Sequence, residues 1–160
     1  MEHEFPEIEV EYHEGVPTSD EFFKNEFKSK RSTLLIFDDL YDSVVKSDAM
    51  SRAFKVYSKK MNFSIILTSQ SYFEKGSHAS TIRSNMEAVI TFENYGRHSL
   101  NKQVADQLGY LVEYKYGREV FNYRHGYLLY NLSPHLPSRH FRVCSNIFGE
   151  NGGLPTFYTH

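Results

Sequence analysis

The sequence predicts an α/β domain built on a parallel sheet with flanking helices and a β-rich C-terminal end. Two short apolar runs, Thr33 to Phe37 and Phe63 to Leu67, have strand length and are rich in β-branched and aromatic side chains. Continuous runs of this kind read as strands buried on both faces of a parallel sheet. Between them Met50, Ala53, Phe54, Tyr57 and Met61 recur at spacings of three and four, the period of a helix. The chain has 160 residues, 40% of them hydrophobic, with 12 Tyr and 13 Phe. That suits one domain with a core, and neither two full domains nor a disordered chain.

Residues 1–31 form an acidic, mostly polar N-terminal segment containing Pro6 and Pro17. Residues 1–21 carry eight acids and no Lys or Arg. Ile8 to Tyr12 alternates like a strand. The segment reads as a surface arm, or as a piece of an element whose partner is missing. The core domain is expected over 32–160. Its first strand stops at Asp38-Asp39. Ser47 is then a suitable N-cap for a helix over 48–61, with Arg52, Lys55 and Lys59 on another face and Asn62 at its end. The second strand ends in Thr68-Ser69-Gln70. Strand, helix and strand at this spacing predict a right-handed βαβ unit.

A polar loop with Gly76 leads to Ser80–Asn85, and a third short strand is expected at Ala88 to Phe92. Ser99 can cap a further helix whose stripe is Leu100, Val104 and Leu108, with Gly109 as its stop. Beyond Leu111 the chain reads as extended pieces, Val120 to Tyr123 and Tyr127 to Leu132, joined through a turn at Gly126. An irregular tail containing Asn151-Gly152-Gly153 comes last. There is no internal repeat and no low-complexity tract.

No apolar run approaches the roughly 18 residues of a membrane span, and the acidic N-terminus is not a signal peptide. The single cysteine, Cys144, excludes an internal disulfide framework and most zinc sites and fits a reducing compartment. These features predict a soluble, intracellular protein with no membrane partner. Residues 22–160 carry 18 bases against 12 acids, a modest excess that tolerates a polyanion but mostly describes a solvated surface.

Ligands of open parallel sheets sit outside the carboxyl ends of the strands. Two strands here end in polar groups, Asp38-Asp39 and Thr68-Ser69-Gln70. An apolar strand ending in paired acids has the Walker B pattern of nucleoside triphosphatases: the first carboxylate holds the Mg²⁺ shell and the second polarises a water. Gln70, at the neighbouring strand tip, is placed to orient that water. Asp38-Asp39 reads equally as a turn or helix-capping pair. A triphosphatase also needs a phosphate cradle, G-x-x-x-x-G-K-[ST], and none of the nine glycines begins one. Lys75-Gly76-Ser77 has the residues in the wrong order and spacing.

The combination of Leu34-Leu35-Ile36-Phe37-Asp38-Asp39-Leu40, Ile65-Ile66-Leu67-Thr68-Ser69-Gln70-Ser71-Tyr72 and Thr81-Ile82-Arg83-Ser84-Asn85 resembles the DNA-packaging ATPases of large DNA viruses and Polinton-like elements, in the FtsK–HerA superfamily. Tyr127–Leu132, Ser145–Phe148 and Tyr12–Pro17 extend the likeness over most of the chain from residue 12. The resemblance implies a P-loop NTPase-like, RecA/FtsK-type sheet, N-terminally truncated before Walker B. It puts Asp38 on the acid that holds Mg²⁺ through water and Asp39 on the catalytic acid. Gln70 falls on the polar sensor position, and Arg83 on an arginine that reaches a phosphate of its own or a neighbouring subunit. Arg83 reads otherwise as a surface ion pair, and Asn85 as a turn residue.

The same resemblance implies ATP and Mg²⁺ as cofactors, double-stranded DNA as cargo, a homo-oligomeric ring, and capsid or portal proteins as further partners. The family carries its phosphate loop upstream of the segment found here. The chain is therefore expected to be a fragment or split product of such an ATPase, or a degenerate, non-catalytic copy that binds DNA or another protein. Two further groups have blander readings. His135, His140 and Cys144 match no common metal spacing and read as loop residues. Tyr110, Tyr114, Tyr116, Phe121, Tyr123, Tyr127 and Tyr130, interleaved with Lys115, Arg118 and Arg124, either stack on single-stranded bases or, more simply, form strand packing.

Overall fold

The computed structural model describes residues 8–27, 32–70, 75–93, 119–136, 142–149 and 153–158. The fold is mixed α/β: a two-stranded parallel sheet with helices, and a four-stranded antiparallel sheet. The chain divides into two units, 1–85 and 86–160.

In the first unit β1 (Thr33–Phe37) and β2 (Phe63–Leu67) pair in parallel, in register from Thr33 opposite Phe63 to Phe37 opposite Leu67. The expected strand–helix–strand unit is present, with more helix than its pattern announced. α1 (Asp20–Glu26) precedes β1, and α2 (Tyr41–Lys46) comes directly after the Asp38-Asp39 turn. α2 buries Tyr41, Val44 and Val45, one face at spacings of three and four. Ser47 then turns the chain in an extended conformation. Its hydroxyl accepts from the Met50 N–H at 3.3 Å, capping α3 (Asp48–Arg52), and donates to the Pro17 carbonyl at 3.2 Å.

Helical winding continues through a π-helical turn, Ala53–Tyr57, into α4 (Ser58–Lys60). Met50, Ala53 and Phe54 are buried as expected, whereas Tyr57 and Met61 are only half-buried. A π turn adds a residue, and one added residue rotates the rest of the helix by about 100°. The stripe is therefore displaced beyond Phe54, and Met61 already lies outside the helix with φ −116° and ψ 142°.

The expectation that both strands are buried on both faces is corrected. Leu35, Phe37, Phe63, Ile65 and Leu67 are turned away from solvent or half so, while Leu34, Ile36 and Ile66 are 52%, 61% and 46% exposed. Among the described residues, packing covers one face only. There the fully buried Phe23 of α1 stacks on Phe63 and Tyr57 at 5.9 and 5.7 Å. Arg52 Nε donates to Asp20 Oδ1 at 2.8 Å and ties α1 to α3. The acidic segment thus contains an anchored helix that its polarity did not announce. Ile8 to Tyr12 form no strand; Ile8, Val10 and Tyr12 are exposed.

α5 (Ala79–Ser84) occupies the stretch after the Gly76 loop, to which the pattern assigned no element, and buries Ala79 and Ile82. The loop before it runs close against α2. The His78 N–H donates to the Val45 carbonyl at 2.9 Å, and a Cβ on Gly76 would collide with the Val45 side chain and lie 2.8 Å from its carbonyl oxygen.

The second unit contains β3 (Ala88–Phe92), β4 (Tyr127–Asn131), β5 (Val143–Ser145) and β6 (Thr156–Tyr158), in that order and all antiparallel. β3 and β4 lie where the pattern put them. Val120 to Tyr123 is not extended: residues 119–121 make a helical turn, closed by Tyr123 N–H to Val120 O at 3.3 Å. The tail expected to be irregular supplies β5 and β6. Val120, Leu128, Tyr130 and Val143 form the core, with Val89, Phe121, Leu132 and Tyr158 against it. The helix expected at 99–109 lies outside the described residues. Among those described, no helix is long and apolar enough to cross a membrane.

Candidate functional site

The parallel pairing brings the carboxyl ends of β1 and β2 to one edge, and the ladder continues one step beyond the strands. The Thr68 N–H donates to the Phe37 carbonyl at 2.9 Å. The Thr68 side chain then clasps both acids of the neighbouring strand end. Its hydroxyl oxygen accepts from the Asp39 backbone N–H at 3.0 Å and donates to Asp38 Oδ1 at 2.5 Å. One hydroxyl has the single proton and the lone pairs for both roles. Asp39 sits at φ +54°, the left-handed region, which costs a non-glycine residue about 1–2 kcal/mol. Strain of this kind persists where surrounding bonds over-determine it, and it clusters at functional sites. Both aspartates are exposed.

Gln70 lies at the same edge, two residues past Thr68, and is exposed. Arg83 is half-buried on α5, where its Nη1 donates to the Tyr41 hydroxyl at 3.3 Å. Tyr41 opens α2, two residues after Asp39, so Arg83 is fastened to the element that leaves the acid turn. Asn85 serves the end of α5: its Nδ2 donates to the Thr81 carbonyl at 2.8 Å and its Oδ1 accepts from Lys59 Nζ at 3.2 Å. The structure therefore joins Asp38, Asp39 and Thr68 directly, brings Gln70 to their edge, and connects Arg83 to that edge through Tyr41. Thr68 is the residue that sequence reasoning left without a role. Its signal was its register, one step past Leu67 and therefore level with Asp38.

Magnesium fits this edge in a limited way. The Asp38 carboxylate is exposed, and the Thr68 proton occupies one lone pair of one of its two oxygens. The acceptor capacity left over suits an ion held by one carboxylate through its waters. Among the described residues no group of three or more His, Cys, Asp or Glu could hold a metal ion. The nucleotide phosphates do not fit as they stand, because the 160 residues contain no glycine-rich phosphate cradle. His135 is exposed and Cys144 is buried, with its thiol pushed up by burial; His140 lies outside the described residues. Comparison with known family models, curated proteins and solved structures finds no match.

Proposed function

We propose that the first unit is the magnesium- and water-handling half of a P-loop NTPase-like, RecA/FtsK-type ATPase of the DNA-packaging kind. The observation that carries this reading is the clasped acid pair at the carboxyl end of a parallel strand. Asp39 is held in a left-handed conformation by a hydroxyl from the adjacent strand tip. Mg²⁺, if bound, would be held through water by Asp38 and would supply the charge that screens the phosphates. Asp39, exposed at the strand tip, would accept a hydrogen bond from a water and orient it for attack. Gln70 steadies that water from the next strand tip, and Arg83 offers its forked donors to a phosphate. ATP is the substrate, double-stranded DNA the cargo, and a homo-oligomeric ring that meets capsid or portal proteins the working assembly.

A second reading has its own observation. The Thr68 bonds also explain the two aspartates as a turn lock, which suits a non-catalytic protein that binds DNA or another protein, and the exposed apolar face of β1 and β2 favours the protein partner. The experiment that separates the two is phosphate release with DNA present, on a chain extended upstream by a Walker A segment. The ATPase reading expects turnover that falls at least about a hundredfold in Asp39→Asn while nucleotide binding persists. No turnover in the extended chain, with the fold intact, favours the turn lock.

A further inference from the structure

We propose that the second unit carries a binding site for a nucleotide, an aromatic base together with its phosphate. The start of β4, the end of β5 and the start of β6 lie at one end of the antiparallel sheet. With the turn before β4 they line an open cleft of about 430 Å³, within the roughly 300–1,000 Å³ of small-molecule sites. Its walls combine flat aromatic faces with a few charged and amide groups.

Two of the rings are fixed in advance. The Tyr127 hydroxyl accepts from the Ile147 N–H at 2.8 Å, and the Tyr158 hydroxyl is hydrogen-bonded to Ser145 Oγ at 2.8 Å. Tyr123 stands at the rim, 59% exposed. The register places Tyr158 on the face of Leu128, Val143 and Ser145 and Tyr127 on the opposite face. A base therefore meets Tyr158, held before the ligand arrives, and Tyr123 at the rim. Stacking tolerates every base because every base has a π-face. Arg124 and His125 come directly after Tyr123 and line the same cleft. The Arg124 fork matches phosphate oxygens.

Glu119 also lines the cleft. Its carboxylate accepts from an exocyclic amino group and repels the phosphate, which assigns the base to the Glu119 side and the phosphate to the Arg124 side. The wall is built rather than incidental. His125 and Asn146 hold φ of 61° and 53°, and Asn146 Nδ2 donates to the Leu154 carbonyl at 3.3 Å. Gly126 N–H donates to Tyr123 O at 2.9 Å, and a Cβ on Gly126 would collide with the Val120 carbonyl oxygen.

The nucleotide can be free or can be one unit of a single strand, and one titration distinguishes them. The probe is a 5′-labelled, single-stranded ten-nucleotide oligo(dA), monitored by fluorescence anisotropy with the full chain, and with AMP as competitor. Tyr123→Ala should weaken binding roughly tenfold or more. Arg124→Gln should weaken it and lower the slope of log K against log salt by about 1. Both positions are exposed, and circular dichroism checks that the fold is kept. Displacement by AMP identifies a free-nucleotide site; Tyr123-dependent binding that AMP does not displace identifies an unstacked base of a strand. The ATPase reading holds its nucleotide at the Asp38 edge of the first unit and expects no dependence on Tyr123 or Arg124, so loss of binding in those two variants keeps this outcome apart from it. The proposal is overturned if neither ligand binds, or if Tyr123→Ala and Arg124→Gln bind as the parent does.

Discussion

Asp39 is an aspartate in a conformation that favours glycine, and one threonine hydroxyl is bonded to its backbone. Sterics set the cost of that conformation, and Asp tolerates it better than most residues because its short polar side chain bonds locally. Asp39→Val should therefore destabilise by about 1–2 kcal/mol or more, whereas Asp39→Gly should be neutral or stabilising. Thr68→Val keeps the shape and removes both hydrogen bonds, so it should cost about 1 kcal/mol at this exposed edge. Urea denaturation of the three variants measures all of this. A Thr68→Val midpoint equal to the parent's would show that the clasp holds nothing. Together the variants separate backbone strain from chemistry, because Asp39→Gly removes the carboxylate without destabilising the turn.

Among the elements, α1 is held by a cluster of rings, Phe23 and its C-cap Phe27 on Phe63, and by one ion pair. Its buried Phe23 carries the packing, and the Arg52 hydrogen bond to Asp20 holds that carboxyl below the ordinary 3.8. A lowered carboxyl pKa contributes stability above its unfolded value. That contribution is lost as pH falls below about 3.8 and through the lower folded value. Side-chain NMR titration should place the Asp20 midpoint below 3.8 in the parent and nearer to it in Arg52→Gln; coincident midpoints would refute the pairing. α1 was illegible in the sequence because it is short. Phe23 and Phe27 stand four apart, but a seven-residue helix with one such pair is too short to make a periodic stripe. β1, β2 and the Ser47 cap were legible because composition, length and capping agree there locally. α2 was missed although Tyr41, Val44 and Val45 have helical spacing, since the helix has six residues only. β5 and β6 have three residues each, too few to alternate, and exist through pairing with their neighbours. The acid pair at a strand tip was readable from the sequence, whereas the Thr68 clasp required the register between two strands.

At the scale of the whole molecule, charge decides what the chain does with ATP. Asp38 and Asp39 are exposed and present two negative charges to a polyanion. Phosphoryl transfer is catalysed by positioning and by stabilising charge, and a phosphate loop supplies the amides, the Lys and the hydroxyl that do both. The 160 residues contain no such loop. Mg²⁺ does not replace it, because the ion keeps its waters and one or two carboxylates seldom fix it without phosphates already in place. The basic excess of residues 22–160 attracts anions in general and positions none of them. Residues 1–160 alone should therefore release phosphate from MgATP no faster than a protein-free blank. Nucleotide that does bind should depend on the cleft of the second unit. In calorimetric titrations its affinity should fall with Tyr123→Ala and not with Asp38→Asn. Steady hydrolysis by the 160 residues, abolished by Asp39→Asn, would show instead that phosphates are cradled here by groups other than a glycine-rich loop.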